Sequence, residues 1–192
     1  MSKWKSSTFF FVDMDYSPKV SGAYWEIARE LNFWQESKWN WLSLHLEYNG
    51  GLNRTVGSYN DAYLTGAAWN WANKDFSRTF SLQLLYKYLA NQPSSNKHSW
   101  QVTTVWGIHF AKGFCTFSGY ADLWHDNSVS GNLILSSEPQ FWFNLYALDS
   151  VDDDFKLSLG TELELSKNLV WPAEGINNKF YAIPTLAVKW QF

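Results

Sequence analysis

Carboxylates dominate the side chains that could do chemistry, and most of them sit on alternate positions of extended segments. Asp13, Asp15, Glu26, Glu30, Glu47, Asp122, Glu138, Glu162 and Glu164 fall on one set of faces, together with Lys87, Lys189, His45, His109, Tyr120 and Trp142. Acidic groups outnumber basic ones on those faces. Pooled in a wet channel, they would favour cations or neutral solutes that donate hydrogen bonds. Packed instead into a filled interior, the carboxylates would pair with Lys87, Lys189 and neighbouring donors and stiffen the fold. Catalysis has little to build on. Four histidines, His45, His98, His109 and His125, stand outside any nucleophile–base motif, and no catalytic residue is assigned. Asp152, Asp153 and Asp154 make an acidic turn that reads as solvated, so neither a metal nor any other cofactor is expected. Cys115 is alone, which excludes a disulfide framework and a cysteine metal site. The chain reads as a non-enzyme.

These residues are positioned by strands. A strand turns successive side chains to opposite faces, so a period of two separates an apolar face from a polar one. Residues 155–166 show it most clearly: Leu157, Leu159, Leu163 and Leu165 oppose Ser158, Gly160, Glu162, Glu164 and Ser166. The same alternation marks residues 8–16, 41–48, 80–88, 100–110, 114–124 and 133–145. Residues 59–71 are ambiguous, because Gly66, Ala67 and Ala68 blur the faces. Residues 23–34 could be read as a helix, but Trp25, Ile27, Leu31 and Phe33 share one parity and predict a strand. Arg29 breaks that apolar face and is expected near a membrane edge, where a long side chain can snorkel. The last segment, residues 180–192, sets Phe180, Ala182, Pro184, Leu186, Val188, Trp190 and Phe192 on one face. About ten strands result. Pro139 and Pro184 fall inside them and predict a bulge or strand shift at each, since proline removes a ladder hydrogen bond.

The chain of 192 residues suits one all-β domain spanning residues 1–192. A net charge of −3 gives no basic footprint for nucleic acid. No run approaches the roughly 20 apolar residues of a membrane helix. Aromatic residues, however, make up 19% of the chain, with 13 Trp. Membrane barrels use Trp and Tyr in girdles at both interfaces, where an amphipathic ring suits the headgroup level. The connections sort as well. Residues 33–39, 73–76, 111–113 and 148–155 form a shorter class. Residues 17–21, 49–59, 91–97, 125–132 and 166–179 form a longer class, richer in Gly, Asn and Pro. Short inner turns and long outer loops are the asymmetry of membrane barrels. Together these features predict an antiparallel up-and-down transmembrane β-barrel.

Five phrases, STFFFVDMDY, AYWEIARELNFW, YNDAYLTGAAWNW, SEPQFWFNL and FYAIPTLAVKWQF, occur in this order along nearly the whole chain. In this they resemble a family of outer-membrane β-barrels from Bacteroides-type bacteria, itself similar to the Tsx-like nucleoside-specific channels. The resemblance implies a bacterial outer-membrane location and about twelve strands, and it carries over no functional residue. Members of that family have a signal peptide and a further strand pair ahead of STFFFVDMDY. Here MSKWKSSTFFF holds no signal-peptide core. Ten strands closing alone, a truncated barrel and a deliberately shortened pore are the three readings of that difference. The expected role is a passive, porin-like channel for small hydrophilic solutes, with nucleosides suggested by the Tsx-like similarity. Its expected partners are outer-membrane lipid, a small-molecule solute and the barrel-assembly machinery, the last through the aromatic-ended strand from Phe180 to Phe192. The competing class is a non-transport barrel, structural or a lipocalin-like ligand binder. There Leu157, Leu159, Leu163, Leu165, Leu82 and Leu84 would line the interior and the carboxylates would turn out.

Overall fold

A computed structural model describes residues 5–16, 18–54, 57–58, 61–148, 150–151, 155–169 and 176–191. Ser17, Tyr59, the acidic turn Asp152 to Asp154 and Phe192 lie outside the described residues. The chain is all-β, and its strands belong to one antiparallel sheet. They are β1 (Lys5–Tyr16), β2 (Val20–Asn32), β3 (Leu42–Asn53), β4 (Gly57–Ser58), β5 (Ala62–Ala72), β6 (Arg78–Leu89), β7 (His98–Phe110), β8 (Cys115–His125), β9 (Leu133–Ser137), β10 (Gln140–Asn144), β11 (Leu157–Lys167) and β12 (Phe180–Trp190). The strand order is β1-β2-β3-β5-β6-β7-β8-β10-β11-β12. The two-residue β4 pairs with β3, and β9 bridges β8 and β11. Each long strand thus lies beside its neighbours in sequence. Of residues 23–34, open to a helical reading, 23–32 run extended as most of β2, and Phe33 and Trp34 follow its end. Among the described residues no helix is long and apolar enough to cross a membrane.

The two prolines behave differently from the sequence expectation of a bulge or strand shift at each. At Pro139 the ladder breaks between β9 and β10, yet the register does not slip. Ser136 faces Asp122 and Gln140 faces Ser118, so equal lengths of chain match across the break. The backbone bonds Glu138 N–H to Tyr120 O (3.1 Å) and Leu163 N–H to Pro139 O (3.0 Å) carry the sheet past it. Gly119 makes room: a Cβ there would stand 2.4 Å from Glu138 O and 2.9 Å from Pro139 Cα. Pro184 does not interrupt β12 at all, and its register with β11 is continuous. Leu163 faces Pro184 but spends its N–H on Pro139. The two are therefore a non-hydrogen-bonded pair, and the proline nitrogen points away from β11.

The chain divides into two compact units, residues 1–69 with 83–102 and residues 70–82 with 103–192. In each, burial is inverted relative to a water-soluble protein. In the first, Ser43, His45, Asn49, Gln83, Lys87, Ser99 and Gln101 are buried, while Leu46, Leu84, Tyr86 and Trp100 are exposed. A small apolar cluster of Ala62, Leu64, Leu85 and Leu89 is interspersed on the buried side. In the second, Thr116, Asn144, Ser158 and Ser166 are buried, while Phe117, Phe143, Leu159 and Val188 are exposed. Leu186 on β12 is 95% exposed and Leu84 on β6 is 58% exposed. Both strands at the ends of the order are open: all of β1 is exposed, as is most of β12.

The connections are set by short polar side chains. Asn73 accepts from Arg78 N–H at 2.8 Å and donates to Ser77 Oγ at 2.9 Å, closing the turn after β5. In the same turn the Ser77 hydroxyl and N–H hold the exposed Asp75 carboxyl below the usual carboxylate range. Ala111 and Lys112 both adopt positive φ, 51° and 56°, in the tight turn between β7 and β8.

Candidate functional site

The polar face of the first unit is assembled by register. Asp13 faces Tyr24 and Phe11 faces Glu26 across β1 and β2. Glu26 faces Asn49, Ala28 faces Glu47 and Glu30 faces His45 across β2 and β3. His45 then faces Gly66 on β5, and Glu47 faces Leu64. Directly opposed residues point to the same side of a sheet. Glu30, His45, Glu47 and Asn49 therefore meet although 15 residues separate Glu30 from His45. His45 is 3% exposed. Its Nε2 lies 2.8 Å from Glu47 Oε2 and its Nδ1 lies 3.6 Å from Glu30 Oε1. Asn49 Nδ2 donates to the other Glu47 oxygen at 2.8 Å. A neutral imidazole can donate to only one of the two carboxylates, whereas a doubly protonated one serves both. The ring thereby ties Glu30 on β2 to Glu47 on β3. Lys87, on the same buried side, donates to Gln101 Oε1 at 2.7 Å.

In the second unit, Lys189 lies with Nζ 4.5 Å from the Trp142 ring centroid, a cation–π contact. The indole N–H of Trp142 donates to Gln140 Oε1 at 3.1 Å, and Gln140 faces Glu162 across β10 and β11. Thr103 donates to Asp122 at 2.5 Å, and Tyr120 shares a hydrogen bond with Ser136 at 3.3 Å. Near the β10 end, Asn144 donates to Gly113 O at 2.7 Å and to Thr116 Oγ1 at 2.8 Å, and accepts from Ser158 Oγ at 2.8 Å. His109 Nδ1 reaches the same Thr116 hydroxyl at 2.8 Å. Asn144 is 1% exposed and Ser158 is fully buried. This network ties β8, β10, β11 and the β7–β8 turn together through neutral groups. Asn144→Leu is expected to lower stability by about 3 kcal/mol, because Thr116, Ser158 and Gly113 O lose a shared partner where water does not reach. A urea titration of the refolded protein, followed by tryptophan fluorescence, measures it.

The structure sorts the residues singled out from sequence as follows. Glu30, His45 and Glu47 come together, as do Trp142 and Lys189. Glu26 lies against the Tyr24 hydroxyl at 3.4 Å. Tyr120, Asp122, Glu138, Glu162 and Glu164 are half-buried, whereas Asp13, Asp15 and His109 are exposed. The exposure of Asp13 and Asp15 reflects β1, whose two faces are both open. Neutral polar residues were the ones missed: Asn49, Thr116, Asn144 and Ser158 complete the buried contacts. Their signal is present as alternate Ser, Thr and Asn on the polar parity of β3, β8, β10 and β11, where uncharged residues stand out less than the carboxylates beside them. Among the described residues, no group of three or more His, Cys, Asp or Glu is arranged to hold a metal ion.

Residues 1–192 match, over their whole length, the family described as a domain of unknown function, DUF5020. The chain belongs to this family. No curated protein and no solved structure gives a significant match.

Proposed function

We propose that the chain closes into a transmembrane β-barrel of the bacterial outer membrane and acts as a passive, porin-like channel for small hydrophilic solutes. The observation that carries this reading is the inverted burial, with polar faces inside each unit and apolar faces outside. Water-soluble sheets put the apolar face inward, and a barrel in lipid does the reverse. A lipocalin-like binder would need Leu82, Leu84, Leu157, Leu159, Leu163 and Leu165 inside; Leu84 and Leu159 stand 58% and 44% exposed and the other four are half-buried. Exposed Trp34, Trp39, Trp41, Trp69, Trp71 and Trp190 lie at or near strand ends, where an interfacial girdle belongs. The half-buried carboxylates Glu30, Glu47, Asp122, Glu138, Glu162 and Glu164 would give the proposed passage an acidic lining that favours cations and solutes that donate hydrogen bonds. Nucleosides fit that description, and the outer-membrane family that the sequence resembles is in turn similar to Tsx-like nucleoside channels.

The test begins with the detergent-refolded chain on a cold SDS gel, boiled and unboiled. A barrel holds its backbone hydrogen bonds internally and resists SDS until heated, so the unboiled band is expected to migrate apart from the boiled one. Conductance in planar bilayers, with cation preference and block by added nucleosides, follows. A chain that shows no shift and stays folded and soluble without detergent would overturn the membrane reading.

A further inference from the structure

Arg29 sits on the wrong face for a charge. It belongs to the exposed, apolar side of β2, opposite Thr8 on β1 and Leu46 on β3. Around it opens a surface groove of about 500 Å³, walled by Thr8, Ile27, Leu46, Tyr63, Thr65 and Tyr86. Glu47 also borders the groove, but its carboxylate is turned to the buried side, where His45 and Asn49 hold it. Arg29 donates to Ser6 Oγ at 3.1 Å, and among the described residues it makes no ion pair. A guanidinium carries five N–H donors in a planar fork suited to phosphate, so one hydroxyl leaves most of that capacity unused.

We infer that the Arg29 groove holds the phosphate of a phospholipid, its acyl chain lying along the apolar walls. The inference rests on the membrane reading above. Facing lipid, an arginine without an anion is destabilising, and the closer it lies to the bilayer midplane the greater the penalty. Arg29 lies three residues from the Asn32 end of β2, roughly 10 Å along the strand. That end leads into the short connection carrying Trp34 and Trp39, which the connection classes put on the inner, phospholipid side. The depth is that of a headgroup reached from just inside the interface, and the hydroxyls of Ser6 and Thr8, on the neighbouring strand β1, can add donors to the same phosphate. Positive charge, hydroxyl donors and apolar walls together match an anionic amphiphile rather than a neutral one.

Native mass spectrometry of the full chain, refolded in micelles and exposed to equal amounts of phosphatidylglycerol and diacylglycerol of the same chains, tests this. The wild type is expected to retain the phosphate-bearing lipid about tenfold over the phosphate-free one, the effect of one charge-assisted hydrogen bond. Arg29→Gln is expected to bring that ratio near one, and Arg29→Lys to restore part of it. Equal ratios for wild type and Arg29→Gln, with both keeping the heat-dependent gel shift, would overturn the lipid site and leave the barrel standing. Loss of a dimer mass in Arg29→Gln, without change in lipid, would overturn it in favour of a second copy of the chain in the groove. Absence of the gel shift in the wild type would remove the membrane reading and the site with it.

Discussion

Alanine in place of His45 is expected to lower the unfolding free energy by about 3 kcal/mol, because it breaks a buried ion-paired cluster from its centre. The imidazole is the only group that touches both Glu30 and Glu47 among the contacts described for this cluster. Glu47 has a side chain 6% exposed, and with the ring gone it keeps Asn49 as a donor but loses the 2.8 Å contact to Nε2. A carboxylate left in that position must take up a proton, draw in water or pull the strand open. Removing both members is gentler than removing one, since no orphaned charge remains. The double variant His45→Ala/Glu47→Gln is therefore expected to recover at least about 1 kcal/mol relative to the sum of the single changes. Urea unfolding of the micelle-refolded proteins gives all four corners of the cycle. Strict additivity would show that the cluster is not energetically coupled and that His45 acts only by filling space.

A single methyl group at Gly66 is expected to cost about as much, roughly 3 kcal/mol, for a steric reason. A Cβ there would stand 2.0 Å from Leu84 O and 2.9 Å from Leu85 Cα. Both obstacles are backbone atoms of β6, so no rotamer change relieves them and the strand itself must move. Gly66 also lies opposite His45, so displacing β5 loosens the Glu30–His45–Glu47 cluster. Gly107 supplies the control. A Cβ there meets only Thr79 Oγ1, at 2.9 Å, and that hydroxyl can rotate away. Gly107→Ala is expected to stay within about 1 kcal/mol of wild type. Comparable losses at the two glycines, read from the temperature at which the unboiled gel band disappears, would refute the close-approach account of Gly66.

The alternation of side chains determined much of this protein before any tertiary structure was considered. Period-two patterning is a local property, visible within eight residues, so the all-β class and the polar and apolar faces of residues 80–88 and 155–166 could be read directly. The same holds for β2, where the parity of Trp25, Ile27 and Leu31 outweighed a helical appearance. Pairing across strands is not local. Glu30 meets His45 because the β2–β3 register brings them opposite, and no spacing rule within either strand specifies that register. The blurred faces around Gly66 become clear only beside β6, whose backbone approaches too closely for any side chain. The prolines teach the same point. Their identity predicts a lost hydrogen bond, but whether that bond was needed depends on which way the nitrogen faces. Pro184 points away from β11 and costs the β11–β12 ladder nothing, whereas Pro139 interrupts its strand opposite a glycine that admits it. Sequence alone determined the faces; tertiary structure decided which residues on a face touch, because contact depends on register and approach distance, and both are set between strands.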